Sequence, residues 1–213
     1  MGIEVRRFTW DYLDSNMYVL IAEGQALVID PIDSDEASEY VRPFHEITVL
    51  LTHEHFDHIC GLNKLRAEHK CTVIAHEKCS ERIQSSKANF SAMAETMMEL
   101  SGKKRGRRIE PFACEKADIT FEDKTVLNWA GNDIEIFSTP GHSPGSVCIK
   151  AAGRLFTGDS LLESGSKNRF PGGSERIYQE KTIPVLKELI KDMNTIYPGH
   201  GDSFSPESES IHI

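Results

Sequence analysis

Val5 and Phe8 stand among charged residues over Glu4–Phe8. Two short apolar runs follow, Met17–Ala22 and Ala26–Ile29, on either side of Glu23-Gly24. The pattern predicts three strands, the last two joined as a hairpin that Asp30-Pro31 closes. Ser34, followed by acidic residues, opens a short helix reaching Val41. Ile47–Leu51, apolar but for Thr48, is a run of the kind found in a strand buried on both faces. Ile59, Leu62 and Leu65 give His58–His69 helical spacing, and Thr72–Ala75 predicts another strand.

Residues 77–112 read as a helical insertion. Its clearest helix is Ala92–Leu100, with Met93, Met97, Met98 and Leu100 available for one face. That face suits either core packing or an adaptable apolar lid, since methionine fills irregular surfaces. Strands return at Asp133–Ser138, Ser146–Lys150 and Arg154–Thr157. A helix from Ser174 to about Lys191 carries Pro184 inside it, which predicts a kink or interruption. A last strand covers Thr195–Tyr197, and a polar tail follows Ser205. Strands alternating with helices predict an α/β layered fold. No linker or low-complexity stretch divides residues 1–213, so the expectation is a single domain.

Composition narrows the class. The 213 residues are 39% hydrophobic and 27% charged, ordinary for a globular protein. The longest apolar run, Met17–Ala22, is far short of the ~20 residues of a membrane span. The N-terminus lacks the basic-then-apolar layout of a secretory signal. A cytoplasmic protein without a membrane partner is expected. A net charge of −9, from 24 basic and 33 acidic side chains, opposes binding to nucleic acid or anionic lipid. Lys103, Lys104, Arg105, Arg107 and Arg108 form a local exception, readable as a solvated loop or as a docking patch for an anionic group. Five cysteines without a C-x-x-C pair predict reduced, buried thiols. No feature of the pattern specifies an oligomeric state.

Histidine carries the chemistry. Four predicted strands end in small or polar residues and then at once in metal-ligating ones. Ile47–Leu51 leads to Thr52-His53-Glu54-His55-Phe56-Asp57-His58, and Asp133–Ser138 leads to Thr139-Pro140-Gly141-His142. Arg154–Thr157 leads to Gly158-Asp159, and Thr195–Tyr197 to Pro198-Gly199-His200. The carboxyl ends of strands are where layered α/β folds collect ligand sites. His53 and His55, two apart, point the same way in an extended segment. With His142 they suit one ion. Asp57 and His58 point elsewhere and, with His200, suit a second, while Asp159 has two oxygens with which to bridge. Imidazole and carboxylate fit zinc, iron or manganese. Seven candidates with no cysteine favour an open, catalytic dinuclear centre over a closed structural one.

Two other motif readings fail. Gly141-His142-Ser143-Pro144-Gly145 fits the G-x-S-x-G nucleophile elbow. That elbow needs an N–H on the residue after the serine, and Pro144 has none. His53-Glu54 begins an H-E-x-x-H pattern, but position 57 is Asp and the run before it is strand-like.

Taken together, His53-x-His55-x-Asp57-His58, Pro140–Gly145, Phe156-Thr157-Gly158-Asp159-Ser160 and Tyr197-Pro198-Gly199-His200 resemble the metallo-β-lactamase-fold hydrolases, within them the glyoxalase II-like group. The resemblance implies a four-layer αβ/βα sandwich with two divalent metal ions, zinc foremost, at one edge between the sheets. It implies a hydroxide bridging the ions that attacks the carbonyl of a small-molecule acyl substrate, a thioester by preference, with Asp57 orienting it. Leu27-Val28-Ile29-Asp30 resembles the family's first motif, whose Asp supports the metal ligands from behind. The loop Asn168–Ser174 resembles a substrate loop, with Arg169 at its basic position. Glyoxalase II proper continues into a helical domain that grips glutathione, whereas this chain ends 13 residues after His200, and Pro171 stands in place of a glutathione-contacting Tyr. A lactone or other ester is the neighbouring substrate class. Persulfide dioxygenases, with one iron, share the fold and form the oxidative alternative.

Overall fold

A computed structural model describes residues 2–100, 108–163 and 172–208. Its first sheet contains β1 (Glu4–Thr9), β2 (Asn16–Ala22), β3 (Gln25–Ile29), β4 (Glu46–Leu50), β5 (Lys70–His76) and β6 (Ile119–Phe121), in that spatial order. β1 to β3 pair antiparallel; β3 to β6 pair parallel. The second sheet has the order β11 (Thr195–Pro198), β10 (Arg154–Gly158), β9 (Val147–Ala151), β8 (Asn132–Ser138), β7 (Lys124–Trp129). β10 and β11 are parallel and the other pairs antiparallel, so β8, β10 and β11 all run in one direction.

The four expected layers follow from how the strands divide their side chains. Met17, Val19, Ala26, Val28, Ile47, Val49, Val73 and Ala75 face one core, beneath the helices of the first half. Their neighbours Tyr18, Leu20, Leu27, Ile29, Leu50 and Ile74 meet Ile134, Ile136, Val147, Ile149 and Phe156 between the two sheets. Period-2 alternation thus sends successive apolar residues to opposite cores, which is why these runs contain no polar face. A third core, Leu155, Cys148 and Ile196 against Tyr178, Leu186 and Leu189, seats the last helices on the outer face of the second sheet.

Helix boundaries have identifiable causes. α1 (Asp35–Val41) is capped by Ser34, whose Oγ accepts Ala37 N–H at 3.3 Å. The helix predicted over His58–His69 is split into α2 (Phe56–Ile59) and α3 (Leu62–Glu68). Gly61 lies between them, so close to the Ile32 carbonyl that a Cβ there would overlap it. In the insertion, α4 (Glu77–Arg82) precedes a 3-10 turn (Ser91–Met93) and α5 (Ala94–Leu100). Of the predicted face, Met97 packs against the first core and Met93 is exposed, while the side chains of Met98 and Leu100 lie outside those described. The predicted Ser174–Lys191 helix is interrupted as Pro184 requires. α6 (Glu175–Ile177) widens into a π-turn over Tyr178–Thr182 before α7 (Ile183–Leu189), because Pro184 has no N–H for the carbonyl four residues back.

β6 and β7 fall in a stretch whose pattern predicts no element. Both are edge strands, with Ile119 and Val126 exposed, so neither face supplies a clean alternation. The five cysteines are unpaired, as expected, and burial pushes the thiols of Cys148 and Cys71 up to about 12 and 11. Among the described residues, no helix is long and apolar enough to cross a membrane.

Candidate metal centre

β4, in the first sheet, and β8, β10 and β11, in the second, deliver their C-terminal ends to one edge of the sandwich. The Val147 N–H donates to the Thr52 carbonyl at 2.8 Å, joining the β4 loop to the opposite sheet. Three sets of ligand atoms gather there within 4.8 Å of one another: His53, His55 and His142; Asp57, His58 and His200; and Asp30, His53 and His58. The first two are the trios predicted from spacing. Asp159 lies between them, with Oδ2 at 3.5 Å from His142 Nε2 and 3.4 Å from His200 Nε2, and Oδ1 at 3.6 Å from His58 Nε2. Asp57 Oδ2 lies 3.6 Å from His58 Nε2 and 3.4 Å from His200 Nε2.

Hydrogen bonds behind the cluster decide which imidazole nitrogen faces it. His58 Nδ1 donates to Asp30 Oδ2 at 3.0 Å, leaving Nε2 as the donor toward the centre. The Thr52 hydroxyl donates to Asp30 Oδ2 at 2.5 Å and accepts from His53 Nδ1 at 3.0 Å, which turns His53 Nε2 inward in the same way. His200 Nδ1 donates to the Leu13 carbonyl at 3.0 Å. His55 presents Nδ1 instead, 2.9 Å from His142 Nε2. Asp30 therefore stands behind His58 directly and behind His53 through Thr52.

Charge separates the two trios. Burial, reinforced by the neighbouring imidazoles, holds His53 and His55 well below the ordinary histidine range, so both are neutral and ready to ligate. Burial would lower His58 as well, but Asp57, Asp159 and Asp30 outweigh it and push it up to about 10. His200 is raised against burial by Asp159 and Asp57. Asp159, which burial alone would raise, is held well below the carboxylate range by His200, His142 and His58.

The donor set fits divalent metal. His53 Nε2 and Asp159 Oδ1 are buried without a hydrogen-bond partner, a state that costs roughly 1–3 kcal/mol per group unless a ligand meets it. Imidazole and carboxylate donors match zinc, iron or manganese.

Arg169, the expected substrate contact, lies outside the described residues, as do Pro171 and the basic run from Lys103 to Arg107. Arg108 is described and exposed, beside Glu95 at 3.4 Å and Glu110 at 3.1 Å.

Several supporting residues were not anticipated. Ser15 Oγ donates to the Asp57 carbonyl at 2.8 Å. Asn16 Nδ2 and the Tyr18 hydroxyl hold the Pro198 carbonyl at 3.0 and 2.6 Å, steadying the turn before His200. Glu54, between the first two histidines, is fully buried; its Oε1 accepts Arg82 Nε at 2.6 Å and its Oε2 accepts Ser143 Oγ at 2.8 Å. The spacing that points His53 and His55 one way sends Glu54 the other, so the sequence carried no signal of its burial. Its partners were not legible.

A sequence model of the metallo-beta-lactamase superfamily matches residues 10–200. The "Probable metallo-hydrolase YqgX" of Bacillus subtilis (strain 168) is 29% identical over 215 residues, covering 97% of this chain and 92% of its own length. A "Hydroxyacylglutathione hydrolase" of Polaromonas sp. (strain JS666 / ATCC BAA-500) is 29% identical over 195 residues, covering 89% of this chain but 62% of that protein. This chain thus spans under two thirds of the latter relative. Among solved structures, the BLEG-1 B3 metallo-beta-lactamase superposes with a TM-score of 0.80 at 24% identity, covering 98% of this chain and 97% of that one, a likeness of fold. From Trp10 to His200, through every strand end that carries a ligand, the chain belongs to the metallo-beta-lactamase superfamily.

Proposed function

We propose that this chain is a dinuclear metal-dependent hydrolase that cleaves a thioester of a small acyl group. The observation that carries the reading is the meeting of two three-residue ligand sets around one shared carboxylate, Asp159. His53, His55 and His142 would hold one ion and Asp57, His58 and His200 the other, with Asp159 serving both; zinc is the expected metal. Divalent cations held there supply Lewis acidity, lowering the pKa of water and offsetting negative charge on a carbonyl oxygen.

The chain's own groups do the rest. Asp57 directs Oδ2 at the imidazoles of His58 and His200, and in this reading its carboxylate orients the attacking water and takes its proton. His58, His53 and His200 are held in place by Asp30, Thr52 and the Leu13 carbonyl respectively, and in this reading serve as ligands rather than as proton carriers. Phe90, whose ring lies 5.1 Å from that of His55, forms an apolar wall that limits water on that side. A thioester suits such a centre because its thiolate leaves readily without an acid to protonate it. The Polaromonas relative's name supports the same class. Arg169 is the proposed contact for an anionic part of the substrate, and neither nucleic acid nor membrane is a partner in this reading.

Metal analysis of the purified protein, paired with assays on S-D-lactoylglutathione and acyl-CoA, tests it. The expected result is two equivalents of metal and turnover of at least one thioester. A single iron with oxygen uptake on a glutathione persulfide, or turnover confined to lactones or phosphodiesters, overturns it.

A further inference from the structure

Glu54 and its two partners form a connection that the proposed chemistry does not use. Glu54 lies in the β4 loop between His53 and His55; Ser143 follows His142 directly; Arg82 ends α4 in the insertion. One carboxylate thus joins both chain segments that carry the first trio, through Ser143 Oγ at 2.8 Å, and ties them to a third segment through Arg82 Nε at 2.6 Å. The joints are themselves constrained. Arg82 Nη2 donates to the Ala88 carbonyl at 3.2 Å, and Ser143 Oγ lies 2.9 Å from Ser146 Oγ and accepts Gly145 N–H at 3.3 Å.

The second trio is held by other means. Asp30 braces His58, the Leu13 carbonyl braces His200, and Ser15 holds the Asp57 carbonyl. Asp30 also reaches the first trio through Thr52 and His53, whereas among the described residues the side-chain hydrogen bonds of Glu54, Arg82 and Ser143 run to one another, to Ala88, Gly145 and Ser146, and not to the second trio. A buried ion pair alone would be weak evidence of anything beyond charge neutralisation, since such pairs often contribute little net stability. Here the pair has a third member adjacent in sequence to His142, and a pair serving only to neutralise charge would not need it.

We propose that Glu54, with Ser143 and Arg82, is a positioning network that sets the distance between the His53–His55 segment and His142, and so governs affinity for the first ion alone. The inference rests on the two-ion reading above. Outer partners of metal ligands typically change metal affinity by about 10–100-fold when removed. The network is expected to do so at one ion only.

The test uses single-site proteins and no substrate. His200→Ala retains only the first trio intact and His55→Ala only the second. Ser143→Ala and Glu54→Ala are introduced into each, with folding followed by circular dichroism. Cobalt(II) affinity is read by chelator competition and by the visible absorption of the bound ion. Ser143→Ala removes one hydroxyl from a folded turn, so it remains informative should Glu54→Ala fail to fold. The expected result is at least tenfold weaker cobalt binding, with an altered spectrum, in the His200→Ala background, and less than a twofold change in the His55→Ala background. Equal weakening in both, or no change in either, overturns the inference and leaves the two-ion reading standing. Failure of both single-site parents to bind cobalt overturns that reading itself.

Discussion

Asp30 and His58 share a hydrogen bond of 3.0 Å, and Asp30 makes it from a left-handed backbone position, φ 53°, immediately after β3. The unusual conformation aims one carboxylate at three donors at once. These are His58 Nδ1, the Thr52 N–H at 2.7 Å and the Thr52 hydroxyl at 2.5 Å. Asp tolerates this backbone region better than most residues because its short polar side chain bonds locally.

Replacing Asp30 should therefore affect stability and metal binding together. Asp30→Ala leaves the buried Thr52 N–H without its acceptor and frees the ring of His58. A loss of about 2–4 kcal/mol is expected from an unmet buried donor and lost charge-assisted bonds. Asp30→Asn, which keeps an acceptor oxygen, should lose less. Urea denaturation of the metal-free proteins measures the difference; equal stability of wild type and Asp30→Ala would refute the assignment.

Gly199 tests the closeness of the last loop to the centre. A Cβ on it would overlap Asp159 Oδ1 and crowd His58 Cε1. Gly199→Ala should destabilise the fold by about 1–3 kcal/mol, the usual cost of overpacking. It should also reduce the metal content from two equivalents toward one. Elemental analysis alongside a thermal melt checks both, and a variant with full metal content and an unchanged melt would sink the prediction.

Metal binding should be linked to protons, unequally for the two ions. His58, pushed up to about 10 by its carboxylates in the metal-free protein, carries a proton at neutral pH. His200 is raised as well. A metal takes the neutral imidazole, so filling the second trio releases protons and its affinity increases with pH. His53 and His55, held low by burial, release none. Calorimetric titration with zinc at pH 7.5, in buffers of different ionisation enthalpy, should show about one or more protons released for the second ion. Zinc should also raise the unfolding midpoint, with about 2.7 kcal/mol added at a free concentration one hundred times Kd.

Asp57→Asn is the mechanistic test. It keeps the size of the side chain and an oxygen toward His58 and His200 but removes the proton acceptor. Turnover is expected to fall by roughly 100-fold or more, in line with loss of a general base, while circular dichroism stays that of the wild type. Near-normal turnover would remove Asp57 from the mechanism.

The candidate ligand residues were legible because their signals are local. His53, His55, Asp57 and His58 stand at the end of one strand pattern, and His142, Asp159 and His200 each follow another. A strand end and a ligand type are properties of a few consecutive residues. The layers were legible for the same reason, since a run such as Ile47–Leu51, apolar but for Thr48, marks a strand with both faces in a core. β6 and β7 were not, because an exposed edge strand leaves little mark on the pattern.

The sequence by itself determined the chemistry at the edge, two sets of nitrogen and oxygen donors, and the kind of layers that carry them. Only the tertiary structure decided which groups stand behind those donors. Asp30 meets His58 at 28 residues' separation, Glu54 meets Ser143 at 89, and Tyr18 meets Pro198 at 180. The physical reason is that a buried polar group must find a partner, and that partner is whichever group the packing of two sheets brings within about 3 Å. The sequence says only that Glu54 stands between two candidate ligands; the packing of the β4 loop against α4 and the β8–β9 turn buries it and pairs it with Arg82 and Ser143.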